Sequence, residues 1–180
     1  MSDPILTVQI LDTYKSRLAS ITKANGYHSD AGAELYEGWL AQAIADDARS
    51  NYPFIAVQPG PDRRLGKSSG GRLRRQMELH VVVVDLLEEG ITTKLKQHAS
   101  DIIHAVADRN NVEYLDGLAL DAEVGDIEYN IPEEGGAVAW AAIPVTADYQ
   151  IIPRPSRTRC PTTHHTPMHI ATLVTLGCHA

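Results

Sequence analysis

The segment from Gln76 to Leu87 constrains this chain more than any other. Met77, Leu79 and Val81 alternate with Glu78 and His80, and the chain then turns continuously apolar through Val82, Val83 and Val84. Alternation at period two describes a strand with one face in a core and one in water, whereas an unbroken β-branched run describes a strand buried on both faces. A strand that changes in this way predicts a sheet half exposed at one end and buried at the other. Other segments have strand character too: Glu34 to Leu40, with Leu35 and Trp39 on one face; Phe54 to Val57, fenced by Pro53 and Pro59; about Glu123 to Asn130; and Val138 to Tyr149. The Pro-Glu-Glu-Gly-Gly turn from Pro132 makes a hairpin of the last two. In the final strand the apolar phase passes from Val138 and Trp140 to Ile143, Val145, Ala147 and Tyr149. Pro144 stands at the change, which predicts a bulge or an edge open to a neighbour.

Two segments carry a helical period instead. In the first, Asp3 can cap, Pro4 suits the first helical position, and Leu11, Tyr14, Leu18 and Ile21 recur at three- and four-residue spacing as far as Asn25-Gly26. In the second, Thr92 or Thr93 is the expected cap. Its stripe is Leu95, Ala99, Ile102, Ile103 and Val106, with Lys96, Asp101 and Asp108 on other faces. The stretch from Gly60 to Gly71, rich in Gly, Ser and Arg, is expected as a loop. Helix, three strands, helix, two strands is an α+β order. The expected architecture over residues 1–152 is a mostly antiparallel sheet of four to five strands packed against two helices. From Pro153 the character changes, because Pro155 and Pro161 interrupt any regular element, and residues 153–180 are expected as an extended C-terminal arm.

Composition excludes several classes of function. The longest apolar run falls far short of the roughly 20 residues a membrane span needs, and no charged-then-apolar signal pattern opens the chain, so neither membrane insertion nor signal-directed export is expected. Cys160 and Cys178 lie outside the apparent core, so no disulfide framework carries the fold. A net charge of −7 argues against a protein that coats nucleic acid, which relies on clustered Lys and Arg. Any contact with DNA must be local.

The residues Ala24 to Trp39, reading ANGYHSDAGAELYEGW, followed by PFIAVQPG from Pro53, resemble the phage tail-terminator family, also called tail-completion or minor tail protein U-like proteins. The shared residues are Asn25, Gly26, Tyr27, Asp30, Ala31 and Gly32, which serve turns and packing: Asn25-Gly26 supplies a positive φ at the end of the helix, and Gly32 lets the chain enter the strand closely. The resemblance covers roughly Ile5 to Ile152 and stops short of the arm. It implies a structural virion protein and not an enzyme. Such a protein forms a homohexameric ring on the head-proximal end of the tail tube, ends tube polymerisation and presents a docking face to the neck or head. Its implied partners are further copies of itself, the tail-tube protein and a neck or head-completion protein, and no cofactor is implied. A neck or head-completion ring is the alternative within the same particle.

Other constellations carry less. Gly66-Lys67-Ser68-Ser69-Gly70 fits G-x-S-x-G, but a nucleophile elbow needs a strand before it and a helix after it, and neither is expected. Gly60 to Gly66 is one residue too long for a phosphate loop. Arg63, Arg64, Lys67, Arg72, Arg74 and Arg75 concentrate positive charge beside a single acid, Asp62. A solvated loop is the simplest reading; docking on an acidic partner ring, or non-specific contact with DNA passing through a lumen, are the functional ones. No aromatics interleave with these charges for base stacking. In the arm, Cys160, His164, His165, His169, Cys178 and His179 include one zinc-like spacing but no paired cysteines, so no metal site is expected, and a metal-binding module or enzyme remains the rival of different class. Ile170, Leu173, Val174 and Leu176 are expected to be covered, since exposing each large aliphatic side chain forgoes roughly 1.5–3 kcal/mol; a neighbouring subunit or the neck is the functional reading, and an arm folded back on its own subunit the plainer one. His80, His98 and His104 sit singly and read as ordinary surface or edge residues.

Overall fold

A computed structural model describes residues 5–45, 51–67, 69–107, 114–133 and 136–152. Helix α1 (Leu6–Ala19) and helix α3 (Ile91–Val106) each hold an apolar stripe close to the expected one, but Ile10 takes the inward place given to Leu11, which is only partly buried, Ile21 lies beyond the end of α1, and Ile103 is only partly buried. Ile10, Tyr14 and Leu18 of α1 and Leu95, Ala99, Ile102 and Val106 of α3 are all buried in one cluster against the sheet. Between the two helices in sequence lie β1 (Leu35–Glu37), the short α2 (Leu40–Ala45), β2 (Phe54–Lys67) and β3 (Leu73–Leu86). After α3 come β4 (Asp121–Val124), β5 (Glu128–Asn130) and β6 (Val138–Ile151).

The sheet order is β1-β2-β3-β6-β4, with β5 also paired to β6. Only β1 and β2 run parallel; every other pairing among the described residues is antiparallel. The architecture is thus α+β with six strands and three helices among the described residues. This enlarges the expected four to five strands and two helices. The difference has two causes: α2 is too short to show a period, and the outer strand is broken in two. One face of the sheet, carrying Ile55, Val57, Val81, Val83, Ala141, Ile143 and Val145, lies under α1 and α3. The opposite face is apolar only at one end, where Phe54, Ala56, Val82 and Val84 meet Ala43 of α2, with Trp140 packed beside them. That is the burial on both faces that the valine run demands.

The strand expected over Glu34 to Leu40 stops at Glu37, with Trp39 exposed and Leu40 opening α2, and four further local expectations are corrected. The stretch from Gly60 is not a loop until Lys67: β2 continues through it, with register shifts between Pro59 and Asp62 and between Arg64 and Gly66. Prolines are tolerated because β1 covers only Ile55 to Val57, leaving the rest of this edge without a partner strand among the described residues. Second, β6 is no edge strand. It pairs with β3 in unbroken register from Leu73–Ile151 to Leu86–Val138, and its odd-numbered residues from Ala139 to Tyr149 face the helices throughout. The bulge lies on the partner: the outer strand takes one extra residue between Val124–Val145 and Glu128–Ala142, and Gly125 donates its N–H to the Pro144 carbonyl at 2.8 Å. A side chain at Gly125 would stand 2.8 Å from the Pro144 ring, so glycine and proline fit this break together.

Third, neither Thr92 nor Thr93 caps α3. Gly90, at φ 82°, precedes it, and its carbonyl accepts from the N–H groups of Thr93 and Lys94. Fourth, α1 ends at Ala19, and Gly26, at φ 87°, closes a separate short turn over Lys23–Asn25. The arm expected from Pro153 onward, and Asp3 and Pro4, lie outside the described residues. No described helix is long and apolar enough to cross a membrane.

Candidate functional site

The six cations singled out in the sequence, Arg63, Arg64, Lys67, Arg72, Arg74 and Arg75, come together on the distal half of the β2–β3 hairpin. Half of them are neutralised within the sheet. Arg63 Nη2 is 3.5 Å from Glu78 Oε2, and Arg74 Nη2 is 2.6 Å from Asp148 Oδ2, which Gln76 also supports from the other carboxylate oxygen at 3.0 Å. Arg75 Nε donates to Asp62 Oδ1 at 2.9 Å. The Tyr149 hydroxyl donates to Asp62 Oδ2 at 2.6 Å, so one carboxylate on β2 ties β3 and β6 together. Burial of Tyr149, reinforced by this hydrogen bond to a negative group, pushes its pKa up to about 12.

The remaining charges point outward. Arg72 reaches only the side-chain oxygen of Gln150, at 3.4 Å, and Arg64 and Lys67 have no ion pair among the described residues. The segment that fits G-x-S-x-G is the tip of this hairpin. A strand does precede it, contrary to expectation, but the chain then makes a turn over Ser69–Gly71 and enters β3 instead of a helix. Ser68 and the arm residues Cys160, His164, His165, His169, Ile170, Leu173, Val174, Leu176, Cys178 and His179 lie outside the described residues.

A second constellation has no counterpart in the sequence pattern. Beside α3 a cleft of about 530 Å³ is lined by His28, Ser29, Asp85, Lys94 and His98, among others. His98 is 6 % exposed and its Nε2 lies 3.0 Å from Asp85 Oδ2, which corrects its reading as a surface residue. Burial works to raise the Asp85 pKa, but the hydrogen bonds from His98 and the Leu86 N–H, with the charges of His98 and Lys94, outweigh it and hold the group below the usual carboxylate range. His98 Nδ1 is buried and has no hydrogen-bond partner among the described residues. Asp101, expected on a polar face, is 1 % exposed. It accepts from the backbone N–H groups of His28 and Ser29, from the Ser29 hydroxyl at 3.1 Å and lies 2.8 Å from His28 Nδ1.

These residues organise the loop between α1 and β1. The Ser29 hydroxyl is spent on a carboxylate, and among the described residues no Ser, Thr or Cys side chain bonds either histidine, so the cleft holds no nucleophile–base pair there. Nor do the described residues include a group of three or more side chains placed to bind a metal ion. One signal for His98 was available in the sequence: it falls three residues after Leu95 and four before Ile102, within the buried stripe. Nothing comparable marked Asp101, whose role depends on a loop 73 residues away in sequence.

Comparison with known proteins adds no assignment: no family model matches the chain, and no curated protein matches it.

Proposed function

We propose that this chain is a phage tail terminator, a non-enzymatic subunit that forms a homohexameric ring on the head-proximal end of the tail tube, stops its growth and offers a docking face to the neck or head. The observation that carries the reading is the resemblance over Ala24 to Trp39 and from Pro53. Its residues have structural work here, which suits an assembly protein. Gly26 turns the chain at positive φ, and Gly32 packs against the last turn of α1, where a Cβ would meet the Leu18 carbonyl oxygen at 2.2 Å, while its N–H bonds the Ile21 carbonyl just beyond the helix at 3.0 Å. A broad sheet whose outer strands, β1 and β4, have no second partner strand among the described residues also supports a subunit that works by repeated contact with its own kind.

In this reading the tail-tube protein and a neck or head-completion protein are the axial neighbours, the arm with Ile170, Leu173, Val174 and Leu176 joins adjacent subunits, and no cofactor takes part. Reconstruction of particles carrying an epitope-tagged copy tests the assignment. The expected result is one ring of tagged chain where tube meets neck. A ring at the head portal instead would assign the chain to head completion, and absence from the particle would end the proposal.

A further inference from the structure

The β4–β5 edge of the sheet and the distal part of the β2 edge, beyond the short β1, carry opposite charge. Residues 114–133, which include β4 and β5, contain Asp116, Asp121, Glu123, Asp126, Glu128 and Glu133 and no Lys or Arg at all. Asp116 is held by Arg17 at 3.3 Å, but Glu123, Asp126, Glu128 and Glu133 are exposed and have no ion pair among the described residues. Across the sheet, beyond β6 and β3, the β2 edge and hairpin tip present Arg64, Lys67 and Arg72. Three interstrand steps separate β4 from β2, about 14 Å at roughly 4.8 Å each, which exceeds the screening length of about 10 Å at 0.1 M salt. The two charge sets therefore do little to neutralise each other within one molecule.

Each edge also exposes apolar surface. Leu65 is 47 % exposed on β2, and Leu120, Tyr129 and Ile131 are 48 %, 41 % and 37 % exposed around β4 and β5. Charge of one sign around a few apolar anchors on one edge, and the opposite sign around others on the far edge, fits a contact in which the edges meet.

We propose that copies of this chain associate head to tail, the basic β2–β3 edge of one against the acidic β4–β5 edge of the next. Such a contact uses different surfaces on the two partners and leaves both copies with a free edge, so it repeats until rotation closes it into a ring. Main-chain strand pairing is not the attraction at the basic edge: Pro59, Pro61 and two register shifts blunt it against an added strand. Side chains make the contact, and salt weakens it. The inference deepens the ring reading and rests on it for closure alone; the edge contact would exist in any oligomer of this chain.

Sedimentation velocity on the full chain at about 0.1 M and about 1 M salt, where the screening length falls to about 3 Å, tests it. The chain is expected to be oligomeric at the lower salt and to dissociate at the higher. The charge reversals Arg64→Glu with Lys67→Glu, and Glu123→Lys with Glu128→Lys, alter exposed side chains, so far-ultraviolet circular dichroism should report an unchanged fold. Each pair should weaken association roughly tenfold or more. An equimolar mixture of the two variants should regain it, because each supplies the edge sign that the other lacks. A chain monomeric at both salts, an oligomer indifferent to both reversals, or a mixture that stays dissociated would overturn the proposal. So would a hairpin reversal that abolishes binding to a random DNA duplex yet leaves self-association intact, which would give the hairpin to DNA. The terminator reading fails by a separate route, on where the chain sits in the particle.

Discussion

Replacing Asp101 probes the contact that holds the α1–β1 loop to α3. Its carboxylate is 1 % exposed and serves two backbone N–H groups, one hydroxyl and the ring of His28. Asp101→Ala removes the acceptor and leaves the buried Ser29 N–H without a partner, along with its hydroxyl and the His28 N–H. A stranded buried donor costs about 1–3 kcal/mol. The His28 ring is exposed, and water can replace part of what it loses, so its share is small. The sum is about 3–5 kcal/mol, the range expected when one partner of a buried charged network is removed. Asp101→Asn keeps one oxygen for the two N–H groups and can turn its amide toward His28 Nδ1, so its loss should be only about 1–2 kcal/mol. Urea denaturation followed by circular dichroism measures both, with the m-value unchanged if the native and unfolded states keep their extent. Against a total stability of about 5–15 kcal/mol, the alanine variant should be visibly marginal. A loss below about 1 kcal/mol for alanine, or equal losses for the two variants, would show that the network does not hold the loop in the way described.

Gly32→Ala should destabilise the fold by about 3 kcal/mol, since a Cβ there would lie 2.2 Å from the Leu18 carbonyl oxygen and 2.9 Å from that of Ile21, and helix backbone cannot give way as a side chain can; an unchanged thermal midpoint would contradict this. Tyr149 should ionise late, because its pKa is raised to about 12. A raised value favours the protonated form in the folded state, so its contribution to stability is complete below the ordinary tyrosine pKa of about 10 and is lost as pH rises through about 12. The difference in phenolate absorbance between the native chain and Tyr149→Phe should therefore show its step near the upper value; a step at the ordinary one would place the hydroxyl in water.

What the sequence made legible was the part governed by period. Most of the stripes of α1 and α3 and the two-faced burial of Val82 and Val84 derive from side-chain spacing, and the pairing of β5 with β6 from the turn residues that begin at Pro132. What escaped it depended on partners distant in sequence. The distal half of β2 breaks strand rules with Pro59, Gly60 and Pro61 and is held as strand by cross-sheet contacts such as Asp62 with Arg75 and Tyr149. Pro144 looked like an edge because proline cannot donate, whereas β6 is central and the bulge at Gly125 on its neighbour absorbs the missing N–H. The clustering of the six cations was plain from their proximity in sequence, but the pairing of Arg63, Arg74 and Arg75 with carboxylates was not. Neither was the acidic far edge, whose opposition to the hairpin exists only once the strand order is known.

The central claim is that this chain ends a tail tube, and tail length in its absence tests that most directly. Deleting its gene from the genome that encodes it and imaging the lysate by electron microscopy should reveal tubes of uncontrolled, excessive length or heads without joined tails, with normal particles restored by the intact gene supplied in trans. Tails of normal length joined to heads in the deletion lysate would contradict the account.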